Sequence, residues 1–163
     1  MKIVLCDASP LIFLAKLDAL DLISEIFCGE VVILKCVAEE VCSKSAGDVE
    51  RIRLHRLLET AAVIAFEESD YPSRSLSEND RRVLKWAIQN RPDRLVADER
   101  LLRRIAREDG IATIGTFGIL VAAAKKGIRS REVVRKMVDD LVGKHGCRVS
   151  VALYQRVISE LEK

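Results

Sequence analysis

Two periods alternate along this chain, and that alternation limits its fold more than any other feature. Short β-rich runs stand at Lys2–Cys6, Val31–Leu34, Ala62–Phe66, Arg94–Ala97 and Ile111–Ile114. The remaining segments read as helices: Leu11–Leu17, Leu20–Phe27, Val37–Cys42, Val49–Leu58, Glu78–Gln89, Glu99–Glu108, Gly115–Lys126, Arg131–Val142 and Val151–Leu161. In the Arg131–Val142 segment, Val133, Val134, Met137, Val138 and Leu141 fall on one stripe, as an amphipathic helix requires. Strands that alternate with helices predict an α/β domain with a mainly parallel sheet. The chain of 163 residues shows no internal repeat and no linker, so residues 1–163 are expected to form one domain with a real core. Asp70-Tyr71-Pro72-Ser73 and the Gly143–Gly146 stretch read as breaks inside that domain.

Several function classes drop out early. No apolar run reaches the ~18 residues of a membrane helix. Met1-Lys2-Ile3 opens directly into a strand-like run without a signal-peptide cleavage site, so a cytoplasmic location without membrane attachment is expected. The five cysteines are odd in number and lack a CxxC spacing, which argues against a disulfide framework or a zinc site. His55 and His145 stand alone in their segments, so a histidine-based site is not expected. No Walker A loop is present. Asp7-Ala8-Ser9 lacks the second aspartate of haloacid-type phosphatases, and no lysine follows the fifth strand as in a receiver domain. A formal net charge of +2 neither demands nor excludes nucleic acid, because a local basic face can hide in a balanced total.

The carboxylates carry the chemistry. In a doubly wound sheet, ligands gather at the carboxyl edge of the strands, where the following helices also begin. Four acids occupy such positions. Asp7 ends the first strand in VLCDASPLIF. Glu40 follows the second strand in VILKCVAEEV, in the first turn or so of a helix. Asp80 lies in the first turn of SENDRRVLKWA. Asp98 ends the fourth strand in RLVADERLL.

Taken singly, each has an ordinary structural role. Asp98 suits a helix N-cap, Ser77 and Asp80 resemble a capping box, and Glu40 suits a helix start. Asp7 is harder to explain, because Ser9 followed by Pro10 already reads as an N-cap and first turn. Four clustered carboxylates would repel one another unless a cation sits among them. Oxygen ligands without histidine or thiolate point to Mg2+ or Mn2+.

These residues resemble a PIN domain, the nuclease fold of VapC-type toxins. The resemblance rests on Asp7 with Ser9 two positions on, Glu40 in a V-x-x-E setting, Asp80 opening a mid-chain helix and Asp98 after the next strand. It is closer to one formerly uncharacterised branch, through DERLLRRIA (98–106), GTFGILVAAAKKGI (115–128) and the closing LYQRVISE. The chain departs from that branch at Asn79-Asp80, where a Gly-Glu pair is usual. It departs from many PIN proteins at Ala97, where a Thr or Ser precedes the fourth acid; the lost hydroxyl is expected to loosen the site.

The resemblance implies a three-layer α/β/α fold with a five-stranded parallel sheet of order 3-2-1-4-5. It also implies Mg2+- or Mn2+-dependent hydrolysis of RNA phosphodiester bonds, with Asp7, Asp80, Asp98 and Glu40 as catalytic metal ligands. Toxin kinship would add an antitoxin partner covering the acidic crevice, and homodimerisation is common among such proteins. A PIN fold that binds RNA or protein without cleaving is the alternative.

For substrate binding, Ser9, Arg100, Arg103 and Thr116 are the candidates near the acidic edge. Thr116 doubles as an expected N-cap. Arg81 and Arg82 are candidates to offset carboxylate repulsion. Arg104 and Arg107 read as a solvated helix face. Aromatic residues make up only 4%, so no base-stacking platform is evident from the sequence.

Overall fold

The computed structural model describes residues 1–45 and 47–163. β1 (Ile3–Cys6) is the middle strand, because two parallel neighbours flank it: β2 (Glu30–Leu34) and β4 (Arg94–Val96). β3 (Ala62–Ile64) pairs with β2, and β5 (Thr113–Ile114) with β4. All four pairings are parallel and the order is β3-β2-β1-β4-β5. Strands buried on both faces read as near-continuous apolar runs. VLC of β1 and VIL of β2 are such runs, and Leu5, Ile33 and Leu95 are fully buried.

The crossover helices are α1 (Ala8–Lys16), α2 (Asp21–Phe27), α3 (Lys35–Lys44), α4 (Asp48–Thr60), α5 (Glu78–Asn90) and α6 (Arg100–Glu108), and α7 (Thr116–Lys125) follows the last strand. α8 (Arg131–Gly143) and α9 (Val151–Glu162) close the chain and pack near α7. In α8 the expected stripe splits: Val134, Val138 and Leu141 are buried, whereas Val133 is exposed. No helix among the described residues is long and apolar enough to cross a membrane.

Three boundaries differ from the sequence expectation in ways that matter for the site. α1 starts at Ala8 with Asp7, not Ser9, as its N-cap, so Ser9 and Pro10 are its second and third residues. α3 starts two residues earlier than its apolar pattern suggests, directly from β2, which moves Glu40 into its second turn. α7 starts at Thr116, with Gly115 rather than Thr116 as its N-cap. In α1 and α3 the backbone turns into a helix as soon as the strand ends, ahead of the first amphipathic signal, whereas α7 starts one residue later than expected.

Candidate active site

Asp7 is fixed by its backbone and left free by its side chain. Its amide donates to the Val96 carbonyl at 2.9 Å, continuing the β1–β4 ladder one residue past the strand. Its φ of −87° and ψ of 172° then turn the chain into α1. An N-cap aspartate ordinarily accepts a bond from the second or third helical amide. Here the third helical residue is Pro10, which has no N–H, and the Asp7 side chain makes no capping bond. The residue is 5% exposed, and its Oδ1 has no hydrogen-bond partner among the described residues.

Burial raises the Asp7 carboxyl from its ordinary 3.8 to about 7. Repulsion from Asp80, then Glu40 and Asp98, adds to the rise, while the Ala8 amide opposes it. All three acids singled out with Asp7 in the sequence therefore act on it through space, although they come from α3, α5 and the end of β4.

Asp80 is the third residue of α5. Its amide donates to the Ser77 hydroxyl at 3.1 Å, so the capping half of the expected Ser77 motif forms. Burial also raises the Asp80 carboxyl; Ser77 opposes this, and Glu99 and Glu40 reinforce it. Glu40 lies in the second turn of α3, close enough for its charge to act on Asp7 and Asp80. Its neighbour Glu39 is exposed, whereas Glu40 is half-buried.

Asp98 is held from both sides. The Thr116 amide donates to its Oδ1 at 2.7 Å, and the Thr116 hydroxyl donates to Oδ2 at 2.7 Å. Thr116 is only 1% exposed. Its hydroxyl is thus engaged inside the protein rather than presented to a phosphate, which corrects its reading as an N-cap and as a substrate contact. Gly115 makes the approach possible: a Cβ there would stand 2.9 Å from Asp98 Oδ1 and 2.8 Å from Arg103 Nη1. Asp98 does not cap α6; Glu99 does, accepting from the Leu102 amide at 2.6 Å.

Two residues of this neighbourhood escaped sequence reasoning. Glu99 is a fifth carboxylate, close enough to repel Asp80. Its signal was the Asp-Glu pair at 98–99. Lys44 is the cation among the acids. Its ammonium lies 2.9 Å from Glu40 Oε1, and the charges of Asp7 and Asp80 also stabilise it, although burial opposes them. The i,i+4 spacing from Glu40 was its signal.

Arg81 and Arg82 do not play that part. Arg82 pairs with Glu78 and Glu67, and Arg81 donates to the Ser73 carbonyl at 3.3 Å. Ser9 is exposed on α1, and Arg100 is exposed at the start of α6. Arg103 is half-buried beside Gly115 and Asp98, and its Nε lacks a partner among the described residues.

Among the described residues no group of three or more His, Cys, Asp or Glu side chains is arranged to hold a metal ion by itself. The donor set nevertheless fits a hydrated hard cation. Mg2+ keeps several waters and takes one or two protein carboxylates, completing its shell on substrate phosphate. An orphaned buried Asp7 oxygen beside an oriented Asp98 offers that kind of partial shell.

The sheet order and its carboxylate edge define a nuclease-type α/β fold. The chain belongs to the PIN-domain family: residues 3–163 match DUF3368, a PIN domain. PIN domains are in general metal-dependent nucleases. No curated protein matches the chain. Among solved structures it is similar to a PilT N-terminus domain protein, SSO1118, from the hyperthermophilic archaeon Sulfolobus solfataricus. The TM-score is 0.54 at 16% identity, over 74% of this chain and 92% of that one. At that identity the likeness speaks for the fold.

Proposed function

We propose that this chain is a Mg2+- or Mn2+-dependent endoribonuclease. One observation carries the reading. Asp7, buried at the carboxyl edge of the central strand, has an unpartnered oxygen and feels the charges of Glu40, Asp80 and Asp98. A structural aspartate would be capped, paired or exposed, and Asp7 is none of these.

Asp7, Asp80 and Asp98 hold the metal, with Glu40 binding it directly or through water. A divalent ion there lowers the pKa of a water and stabilises the leaving oxygen of a phosphodiester. The protein's own part is positional. Thr116 orients Asp98 through two hydrogen bonds. The β1–β4 ladder fixes Asp7. Lys44 tethers Glu40 and moderates repulsion before a cation arrives. Ser9 and Arg100 border the edge where a phosphate enters. The cut leaves a 5′-phosphate and a 3′-hydroxyl. A toxin role, with an antitoxin peptide shielding the acids, is the regulatory form this reading takes.

The test is cleavage of RNA oligonucleotides with Mg2+ or Mn2+ by wild type, Asp7→Asn and Asp98→Asn. Wild type should cut and both variants should lose activity. Undiminished cutting in excess chelator, or full activity in both variants, would sink the reading.

A further inference from the structure

The acids are not the only unbalanced charges at this edge. A groove of about 1100 Å3 opens from Asp98 and runs between α6, the start of α7, and the stretch from Gly146 into α9. Arg100, Arg103, Arg107, Arg148 and Arg156 line it. None of the five forms an ion pair with another described residue, although seven other arginines do: Arg51, Arg53, Arg82, Arg91, Arg104, Arg129 and Arg135. The groove's other acid, Glu160, is already bound by Lys125 and Lys163. Unpaired arginines have therefore been gathered along one surface that begins at a candidate metal ligand. Arg107, which reads from sequence as solvated helix face, belongs to that surface.

The far wall is built in. Cys147 donates its amide to the Leu141 carbonyl at 2.9 Å, the Ser150 hydroxyl caps α9, and the Tyr154 hydroxyl donates to Asp139 at 2.6 Å. The first and last of these bonds tie the Arg148 segment and α9 to α8. Half-buried Phe13 and Phe117 lie in the same groove. Aromatic faces accept unstacked bases, which a single strand presents and a duplex does not.

We propose that this groove is the track of single-stranded RNA, with Arg148 and Arg156 gripping the phosphate backbone on one side of the cleavage point. Its lining combines those arginines with apolar side chains such as Phe13, Phe117 and Leu153, the pairing of backbone cations with base-contacting surface that a single strand uses. Contiguity with Asp98 makes its occupant the substrate of the proposed nuclease, so the assignment rests on that reading for its link to cleavage. The binding itself does not require cleavage.

The experiment uses the full chain carrying Asp7→Asn, with a fluorescein-labelled mixed-sequence single-stranded RNA and a salt titration. Adding Arg148→Glu and Arg156→Glu should weaken binding at least tenfold. Replacing the same two arginines by Ala should make the slope of log K against log salt shallower by about 0.7 for each arginine that contacts a phosphate. Arg56→Glu with Arg131→Glu, exposed and outside the groove, should have a much smaller effect at the same change of net charge. Circular dichroism should be unchanged in all variants.

Equal weakening by both pairs would reduce the effect to overall charge and overturn the groove. So would equal binding of a duplex of the same length. An acidic poly-glutamate peptide that needs Arg148 and Arg156, when RNA does not, would assign the groove to a protein partner instead. The two readings fail separately. RNA binding through Arg148 and Arg156 without wild-type cleavage defeats the nuclease alone. Metal-dependent cleavage that ignores both arginines defeats the groove alone.

Discussion

The crevice around Asp7 and the groove beyond Asp98 are neighbours with opposite charge problems. In the crevice, three carboxylates, from α3, α5 and the end of β4, crowd the buried Asp7 oxygen, and Lys44 is the cation that meets them. In the groove, five arginines, four exposed and Arg103 half-buried, have no ion-pair partner among the described residues, and Asp98, the acid shared by both regions, is already bound by Thr116. Elsewhere many charges are matched in pairs, such as Arg53 with Asp18 and Arg129 with Asp21. The formal net charge of +2 is thus a sum that hides two unneutralised fields at one edge of the sheet. Each asks for a different counter-charge: a cation in the crevice, a polyanion in the groove.

The strongest way to break that division of labour is to remove the crevice's charge. Asp7→Asn and Asp98→Asn should each lower RNA cleavage by at least about a hundredfold, the scale of losing one group that stabilises transition-state charge. Single-strand binding through the groove should persist. If both variants lost binding and cleavage together, the two regions would not be separable.

The next largest effect concerns stability without metal. Asp7 titrates from an ordinary 3.8 when unfolded to about 7 when folded. Between those values the folded state holds the extra proton. Stability is therefore full below the lower value and declines as pH rises, until Asp7 ionises near the upper one. In chelator, the thermal midpoint should fall between pH 5 and pH 8. Asp7→Asn should flatten that fall and stabilise the protein at pH 8 by a few kcal/mol, on the order of the shift converted at about 1.4 kcal/mol per unit. Thermal unfolding of both proteins across the range measures it, and an unchanged slope in Asp7→Asn would contradict the buried-carboxyl assignment. Mn2+ at pH 8 should restore the wild-type midpoint and have little effect on the variant.

The hinge between the two regions is tested at Gly115 and Thr116. Gly115→Ala places a methyl against Asp98 and Arg103 together, so it should disturb crevice and groove at once, with roughly 1–3 kcal/mol lost from overpacking. Thr116→Val keeps the amide and removes the hydroxyl, leaving Asp98 Oδ2 short of a bond. It should cost about 1–2 kcal/mol and slow cleavage, with RNA affinity intact. Chemical denaturation alongside binding and cleavage assays separates the two outcomes.

Lys44→Met should have the smallest effect. The pair with Glu40 is largely solvent-exposed on the lysine side, at 63%, so stability should change by less than about 1 kcal/mol. Mn2+ affinity, read by calorimetric titration, should rise because Glu40 is released and a competing cation is gone. Weaker Mn2+ binding would make Lys44 a supporting part of the site rather than a placeholder.

Much of the architecture was legible because its signals are local. Alternating periods in IVLC, EVVIL and RLV and the helices between them announce a parallel α/β domain, and the four acids stand out because each sits where a strand gives way to a helix. Family resemblance added the strand order, which periodicity alone does not contain. Helix starts were less legible, since amphipathic patterns begin only once a helix packs. α3 therefore began before its apolar signal, and Asp7 took the cap that the sequence assigned to Ser9.

By itself, then, the sequence determined the alternation of strand and helix and the placing of Asp7, Glu40, Asp80 and Asp98 at one sheet edge. Tertiary structure decided the rest. Thr116 turned inward to bind Asp98, 18 residues away, because β4 and β5 lie side by side. Lys44 rather than Arg81 or Arg82 met the acids, because α5's arginines are drawn to Glu78, Glu67 and the Ser73 carbonyl. Arg148 and Arg156 joined Arg100, Arg103 and Arg107 only when α9 folded back beside α7 and α8. Charge acts through distance in space, and spacing along the chain does not record it.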